Sequence, residues 1–445
     1  MIDILLTRFE PRLDNISLRR LITVRSDPVE GLEALTPYVA ADRFAESLKR
    51  IFIPNAFTLD FIQEMLERAH IFSVENFSTE QQYLSRLYNP PEPEVFPICL
   101  TGLAGVGKSA TITALRKVLP GPKDLQIDHY ATAAKVMSYW YASAKGKGLA
   151  RHMLGDFLKT KPSPSQNVAT LLTHCRSRAY GQGISLLLLE EMQYINTGQG
   201  AARVTDILVT MAAIGLPLVY VANYSLLNKL KARNNEDTQR LLSAPRIMLP
   251  DAPDSDAWHE YVKECVAASD DRFGIKSSAL ADELYRSTFG IKRLGVQLLK
   301  LSYLEARSAG RWTIELQDLQ AAYRSSAYSI FKNDVEDLQR EVLQRSSVGV
   351  RADLRCPFDI PLRTTVGDFF RKDREHRVAT TVFLSSLNAT ELSRLNEIAP
   401  KVANPSLSEK VRKPPIRQTS EDEMARLHSK ILNDILAEKP KRPHP

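Results

Sequence analysis

The chain has 445 residues, of which 44% are hydrophobic and 25% are charged, so it is long enough for two or three ordinary globular domains. No run approaches the roughly 20 consecutive apolar residues of a membrane span. The N-terminus also lacks the basic and apolar segments of a secretory signal, so we expect a cytoplasmic protein without membrane contact. The net charge of +7 is compatible with a nucleic-acid partner and equally with a mildly basic enzyme.

The first 90 residues predict a helical N-terminal region. Apolar residues recur three and four positions apart in 41–50 and in 59–71, which is the spacing of an amphipathic helix. A proline-rich segment at 89–93 ends the region. The sequence leaves open whether these helices dock another protein or pack on the domain that follows.

The central motif of the chain lies at 102–109. It reads G-x-x-x-x-G-K-S and stands between an apolar run at 95–101 and a helical pattern at 110–119, the context of a phosphate-binding loop. Glycines allow successive backbone N–H groups to face an anion, and the N-terminus of the following helix adds partial positive charge. The predicted nucleotide-binding residues are Gly102, Leu103, Ala104, Gly105, Val106, Gly107, Lys108, Ser109 and Ala110.

Two side chains of this loop predict the cofactors. Lys108 is expected to reach the β- and γ-phosphates of ATP, and the Ser109 hydroxyl is a hard ligand suited to Mg²⁺. The structural alternative is a glycine-rich turn that binds nothing.

A basic and aromatic stretch follows, at 131–161, after a predicted second strand at 125–130. Lysines beside aromatic residues and flexible glycines can grip a phosphate backbone, and on this basis Lys145 and Lys147 are candidate DNA-binding residues. The alternative is a solvated helix face whose aromatic residues belong to the core.

The segment 184–191 predicts a buried parallel strand that ends in two carboxylates, the arrangement known as Walker B. Glu190 is expected to hold Mg²⁺ through water, and Glu191 to polarise the water that attacks the γ-phosphate. The usual first acid of this pair is aspartate. The extra methylene of Glu190 therefore predicts slow hydrolysis.

Another apolar strand, 216–223, ends in Asn223, whose amide can hydrogen-bond the attacking water or the γ-phosphate. An asparagine after a strand is also a common turn former.

A polar helical stretch at 224–243 comes next, ahead of a strand at 246–249. Arg240, with Arg233 as second choice, is the candidate arginine that one subunit projects into its neighbour's nucleotide; the alternative is an ordinary surface arginine.

A boundary at 250–254 precedes an all-helical segment with helices at 258–267, 279–288, 291–309 and 316–328. Arg293 stands in the first turn of the third helix and is expected to reach back to the γ-phosphate. Its neighbour Lys292 is the residue most easily confused with it.

The last part of the chain carries weaker globular signals, with elements predicted at 331–344, 364–370 and 380–387. From residue 401 the chain is basic and proline-rich, which is typical of a linker. An amphipathic helix follows, with a stripe formed by Met424, Leu427, Ile431 and Ile435. This helix either docks on a partner or folds back on its own chain.

Together these patterns predict an α/β fold with a parallel sheet flanked by helices. The predicted division is an N-terminal helical region at 1–90, a nucleotide-binding α/β domain at 91–253, a helical lid at 254–330, a C-terminal extension at 331–400, and a linker with a docking helix at 401–445.

The order of these motifs resembles that of the AAA+ ATPases, and several short segments are similar to the TnsC-type regulators of DNA transposition. The segments that carry the second likeness are 190–193, 221–226, 290–294 with 297–298, and 321–325. The resemblance implies an AAA+ core with a lid, ATP bound between subunits, and rings or helical filaments of the protein on double-stranded DNA. It also implies a prokaryotic protein with two kinds of partner, a TniQ- or TnsD-type target selector (in some systems CRISPR-associated) and transposase subunits of the TnsA and TnsB type.

Two other classes remain open. The first is another AAA+ DNA remodeller, such as a helicase loader or an initiator ATPase, which a DNA-reading domain after the lid would favour. The second is a small-molecule kinase on a P-loop scaffold. The predicted helical lid and the absence of a second phosphate-acceptor signature in the sequence count against the kinase.

Overall fold

A computed structural model describes residues 3–10, 13–126, 133–163, 165–195, 201–270, 272–344, 351–360, 364–388, 390–391 and 393–394. Residues 1–380 make up one compact unit and 381–445 a second. The predicted linker and docking helix at 401–445 lie outside the described residues.

A five-stranded parallel sheet forms the centre of the first unit, with the strand order β4–β5–β6–β1–β7. Its inner strands consist almost entirely of apolar residues and are buried on both faces, as parallel strands between helical layers are. A short antiparallel pair, β2–β3, stands apart from this sheet. The strands are β1 (Ile98–Gly102), β2 (Lys123–Leu125), β3 (Ala134–Val136), β4 (Tyr139–Ser143), β5 (Leu186–Glu190), β6 (Leu218–Asn223) and β7 (Ala244–Met248).

The aromatic stretch that follows residue 131 is a strand of the sheet and not a helix. In β4, Tyr139 and Tyr141 face one side while Trp140 and Ala142 face the other, and Trp140 stacks on Phe157 with ring centroids 4.9 Å apart. The alternation of period two, with aromatic side chains suited to a pleated surface, is the strand signal in this segment. Of the strand predicted at 125–130, residue 125 belongs to β2, and 127–130 lie outside the described residues.

Helices cover both faces of the sheet. On one face α6 packs with α4 against the even-numbered residues of β5, such as Leu186 and Leu188. On the other face α7, α8 and α9 share a core with Leu187 and Leu189. The helices between β1 and β7, counted over both faces, are α6 (Lys108–Val118), α7 (Ala150–Leu158), α8 (Val168–Gly181), α9 (Ala201–Ala212), α10 (Tyr224–Lys231) and α11 (Asn235–Leu242).

The N-terminal region is helical, as its periodicity predicts, and it packs on the sheet and the lid. Its helices are α1 (Asp3–Thr7), α2 (Asn15–Ile22), α3 (Pro37–Arg50), α4 (Ala56–Phe77) and α5 (Glu80–Tyr88). Asn55 caps α4 by accepting a hydrogen bond from the Thr58 N–H at 2.9 Å. From α4, Glu64 accepts two hydrogen bonds from Arg246 of β7, at 2.6 and 2.7 Å. Packing on the core, one of the two alternatives left by the sequence, is therefore observed.

Four helices follow the sheet and form the lid: α12 (Asp256–Ala268), α13 (Ser277–Thr288), α14 (Lys292–Ser308) and α15 (Leu316–Arg324). They enclose Trp258, which is fully buried, and α14 packs against α3 of the N-terminal region, with Phe44 and Tyr303 at a ring-centroid distance of 5.5 Å.

Two longer helices come after the lid, α16 (Ser329–Gln344) and α17 (Thr364–Ser386). The two short elements predicted at 364–370 and 380–387 are therefore parts of one helix. Between α16 and α17, the segment 351–360 returns to the sheet domain, where Asn228 and Lys231 of α10 donate to its carbonyl oxygens at Ala352 (2.6 Å) and Pro357 (2.5 Å). Within the described part of the chain, no helix has the length and apolar character needed to cross a membrane.

Candidate active site

The loop between β1 and α6 has the backbone shape that its glycines predict. Gly105 (φ +86°) and Gly107 (φ +120°) occupy the region of positive φ that other residues rarely adopt. Space is limiting as well, because a Cβ atom on Gly105 would stand 2.6 Å from the Cβ atom of Arg293 in the lid. The Arg293 N–H also donates to the Gly105 carbonyl oxygen at 3.3 Å. The phosphate-binding loop and the first turn of α14 are thus in direct contact.

Lys108 is the first residue of α6, and its ammonium group is turned into the loop. Nζ donates to the carbonyl oxygens of Gly102 and Leu103, both at 2.8 Å. Burial, followed by repulsion from Arg293, lowers the pKa of Lys108 to about 8. Among the described residues this half-buried cation forms no ion pair, and an incoming anion such as a phosphate chain would stabilise it.

Glu190 is the last residue of β5 and is 6% exposed. Its Oε2 accepts a hydrogen bond from the Tyr141 hydroxyl at 2.8 Å, while its Oε1 is buried and has no hydrogen-bond partner within the part of the chain that the structure describes. Burial raises the pKa of the Glu190 carboxyl, and the hydroxyl groups of Tyr141 and Ser109 partly offset that rise.

This pair of oxygen donors fits magnesium. The Ser109 hydroxyl and the unpartnered Oε1 of Glu190 are hard ligands beside a phosphate-binding loop, and Mg²⁺ prefers such ligands together with water and phosphate oxygens. The buried oxygen without a partner is the observation behind this fit, since burying an unsatisfied carboxylate oxygen costs free energy that a bound cation would offset.

Glu191 follows directly after Glu190, the last residue of β5, and the chain turns away from the strand there. Its backbone lies in the left-handed region (φ +60°), which is uncommon for a residue with a side chain and costs free energy. Its Oε2 accepts a hydrogen bond from Gln193 Nε2 at 2.6 Å. The turn separates the two carboxylates, so that Glu190 stays on the sheet face toward α6 and Glu191 lines the cavity beside Lys108.

Asn223 ends β6 directly beside Gly102 of β1. Its Oδ1 caps α10, accepting from the Leu226 N–H at 3.1 Å and from the Ser225 hydroxyl at 2.8 Å. The structural role anticipated for this asparagine is therefore present. The same orientation leaves the side-chain Nδ2 as the donor available to a ligand, and Asn223 also lines the cavity.

The two basic residues at the start of α14 have different surroundings. Lys292 forms an ion pair with Asp251 at 3.0 Å and donates to the Ile53 carbonyl oxygen at 3.3 Å. Arg293 is exposed, and within the described residues its guanidinium has no ion pair. Its position against Gly105 makes it the lid residue free to meet a phosphate.

These residues surround one cavity of about 840 Å³, within the 300–1,000 Å³ typical of ligand pockets. The cavity brings together six of the nine predicted loop residues with Glu191, Asn223 and Arg293, whereas Gly102, Leu103, Val106 and Glu190 do not line it. It is also lined by residues that sequence reasoning missed: Leu48, Phe52, Gln193, Tyr261 and Phe331. Gln193 could have been found from its place two residues after Glu191. The apolar residues from α3, the lid and α16 carry no sequence signal, because they meet only when the helical layers pack.

The two arginines predicted to act on a neighbouring subunit lie away from the cavity. Arg240 of α11 pairs with Glu94 at 3.4 Å, and Arg233 pairs with Asp237 at 3.0 Å; neither lines the cavity.

Lys145 and Lys147 stand on the loop between β4 and α7. Lys145 is exposed, whereas Lys147 forms an ion pair with Asp156. The aromatic residues near them belong to the core of the sheet, which is the alternative that the sequence left open.

No protein-family model matches the chain, and no curated protein sequence matches it. Among solved structures, the ADP form of the ORC2 protein of Aeropyrum pernix is 12% identical with a TM-score of 0.38, over 82% of this chain and 94% of that one. Drosophila ORC bound to DNA is 13% identical with a TM-score of 0.38, over 92% and 93% of the two chains. The RuvB Holliday junction branch migration motor of Thermotoga maritima is 12% identical with a TM-score of 0.32, over 70% and 87%.

The fold class follows from the molecule's own topology rather than from these distant likenesses. The strand that precedes the phosphate-binding loop is central, the strand with the paired acids is two positions away, and β6 with Asn223 lies between them. A four-helix lid follows the last strand and places Arg293 against the loop. This is the α/β architecture of an AAA+ P-loop NTPase core with a helical lid, and the predicted fold class is confirmed.

Proposed function

We propose that the protein is an ATP-dependent AAA+ switch that oligomerises on duplex DNA and hydrolyses ATP slowly. The observation that carries the proposal is the single cavity lined by the phosphate-binding loop, Glu191, Asn223 and Arg293. A phosphate-binding loop with glycines at positive φ, a half-buried lysine, a candidate base and a lid arginine are the groups that phosphoryl transfer to water requires.

Each residue has a distinct role in this proposal. Lys108 leaves the carbonyl oxygens of its own loop and binds the β- and γ-phosphates. Glu191, held by Gln193, accepts a hydrogen bond from the attacking water, and Asn223 Nδ2 orients the same water. Arg293 contacts the γ-phosphate from the lid, so that the presence of that phosphate determines how α14 stands on the loop.

Magnesium would be held by Ser109 and, through water, by Glu190. The bound ion supplies neutralisation of charge on the β- and γ-phosphate oxygens. The extra methylene of Glu190, compared with aspartate, supports slow hydrolysis and therefore a switch rather than a motor.

The arginine expected from a neighbouring subunit is Arg240. It is partly exposed, with 37% of its side chain accessible, and it lies outside the cavity of its own chain. A cation that contributes to catalysis from this surface must act on the nucleotide of a second copy. The proposed active form is consequently an oligomer.

The finer role we propose is regulation of DNA transposition. The protein would link a TniQ- or TnsD-type target selector to TnsA- and TnsB-type transposase subunits. The support for this role is the resemblance of the segments around Glu190, Asn223 and Arg293 to TnsC-type regulators, together with a net charge of +7. Lys145 is retained as a candidate DNA contact because it is exposed, whereas Lys147 would first have to leave Asp156.

The alternative is another AAA+ DNA remodeller, such as an initiator ATPase or a helicase loader. The solved structures named above include proteins of that kind, but at TM-scores below 0.5 they do not choose between the two roles. Stimulation of a transposase by the DNA-bound protein favours the first role, and loading of a helicase the second.

The experiment measures binding to random-sequence duplex DNA with ATP, with ADP, with a slowly hydrolysed ATP analogue and without nucleotide, across a salt series. We expect cooperative binding with ATP and its analogue that weakens steeply as salt rises. Lys108→Ala should remove the nucleotide dependence, and Lys117→Ala, a change at an exposed lysine of the same helix, should not. DNA binding that is absent, or indifferent to nucleotide, would contradict the proposal.

A further inference from the structure

Strand β4 lies beside the strand that ends in the paired acids, and its Tyr141 hydroxyl contacts one of them. Ser143 of β4 is in register with Glu190 of β5, and Tyr141 stands two residues earlier on the face that α6 covers. Even-numbered residues of β5 face the same side, so the Tyr141 hydroxyl and the Glu190 carboxylate meet there at 2.8 Å.

The Tyr141 ring is also in contact with α6, the helix that follows the phosphate-binding loop. The Arg116 guanidinium of α6 lies over the ring, 4.0 Å from its centroid, compared with 6.0 Å for Tyr139. Because α6 begins at Lys108, the helix that carries the phosphate-binding loop fixes the tyrosine that in turn fixes Glu190.

The two oxygens of Glu190 thereby become unequal. Oε2 accepts the hydrogen bond from Tyr141, whereas Oε1 is buried and has no hydrogen-bond partner among the described residues. The Ser109 hydroxyl is near enough to this carboxyl to lower its pKa. A glutamate has one more rotatable bond than an aspartate and reaches about 1.5 Å further. Without a second anchor, this carboxylate would sample several positions; with the tyrosine it has one.

From this arrangement we infer that Tyr141 is a positioning residue for magnesium, holding the Oε2 atom of Glu190 so that Oε1 faces the ion. The inference rests on the proposed function, since it concerns the metal of the same site. In this chain Tyr141 thus compensates for the longer side chain of Glu190, which stands at the first acidic position after β5, where aspartate is usual.

The test is Tyr141→Phe, which keeps the ring under Arg116 and removes the hydroxyl. The readout is metal affinity rather than turnover: the Mg²⁺ concentration that half-saturates the metal-dependent part of nucleotide binding, with Mn²⁺ paramagnetic resonance as a direct check. We expect about a tenfold loss of metal affinity, and nucleotide binding in EDTA should be unchanged. Tyr139→Phe is the matched control, because Tyr139 lies on the same strand face and has no hydrogen bond to Glu190.

A second background separates positioning from general support of the fold. In Glu190→Asp the shorter carboxylate cannot reach the hydroxyl, so adding Tyr141→Phe should change metal affinity by less than twofold. An equal loss in both backgrounds, or a loss no larger than that of Tyr139→Phe, would overturn the inference. If the unaltered protein bound no nucleotide at all, the proposed function itself would fail, and that outcome is distinct from either of these.

Discussion

At the scale of single residues, the two acids after β5 are adjacent in sequence but are separated by a change of backbone direction. Glu190 keeps the extended strand and remains against Tyr141, whereas Glu191 takes a positive φ and enters the cavity. Strain of this kind costs of order 1–3 kcal/mol, and the surrounding structure must hold it in place. The hydrogen bond from Gln193 is one contact that does so.

A substitution at Glu191 separates binding from turnover. Glu191→Gln keeps the shape of the side chain and removes its ability to accept a proton. We expect hydrolysis to fall by at least about 100-fold, since that is the scale of a general base, with nucleotide affinity nearly unchanged. Phosphate release in single-turnover conditions and nucleotide titration by calorimetry measure the two quantities. A variant that hydrolyses ATP at the original rate would exclude Glu191 as the base.

At the scale of elements, the contact between the phosphate-binding loop and α14 is where the sheet domain meets the lid. The loop approaches α14 so closely that a Cβ atom on Gly105 would lie 2.6 Å from the Cβ atom of Arg293. The sequence predicts both partners separately, the loop from its glycines and Arg293 from its place after a helix-ending glycine. Their distance could not be predicted, because it depends on how α12 to α15 pack around Trp258.

Gly105→Ala tests this contact. The new Cβ would lie 2.6 Å from the Arg293 Cβ and would occupy a residue with φ +86°, so the lid must move away from the loop. We expect nucleotide affinity to fall by at least about tenfold. The matched control is Gly310→Ala, in which a glycine of φ +73° after α14 receives a methyl group with nothing within 4 Å. That control carries the backbone strain, about 1 kcal/mol of stability, and should leave nucleotide affinity intact. Equal losses in the two variants would assign the effect to strain alone.

More of the fold than of the site could be predicted from the sequence. Continuous apolar runs identify β5 and β6, and helical spacing identifies the lid, because these patterns are local. The strand at Tyr139–Ser143 escaped recognition, since its aromatic residues are flanked by lysines and read as a binding surface. The partnership of Tyr141 with Glu190 was equally hidden, because the two residues are 49 positions apart and are joined only by strand register.

At the scale of the whole molecule, the proposed function requires an arginine that Arg240 does not supply to the cavity of its own chain. Glu191, Lys108 and Arg293 line that cavity, but Arg240 points from α11 toward Glu94, outside it. The ion pairs of Arg240 are long, at 3.4 and 3.9 Å, and partly exposed, so little stability holds the side chain there. An arginine in this setting is available to a second copy of the chain.

Mixed oligomers test this role. Arg240→Ala subunits retain Glu191, and Glu191→Gln subunits retain Arg240, so a mixture contains interfaces in which both groups are present. We expect each variant alone to hydrolyse ATP poorly and the mixture to recover a fraction of the original rate. Arg233→Ala tests the second-choice arginine, and we expect it to hydrolyse ATP at the original rate, because Arg233 forms an ion pair with Asp237 of its own chain. Full activity of Arg240→Ala by itself would rule the residue out.

The hydrogen bonds from α10 to the segment 351–360 have a consequence for regulation. Asn223 caps one end of α10, and Asn228 and Lys231 near its other end hold the chain that leaves the lid. One short helix is therefore capped by a residue that lines the cavity and also holds the segment 351–360. Thermodynamic linkage is reciprocal: if nucleotide changes the affinity of the extension for a ligand by a given factor, that ligand changes the affinity for nucleotide by the same factor. Binding of a ligand at the extension and binding of nucleotide in the cavity would then both shift the same equilibrium between positions of α10.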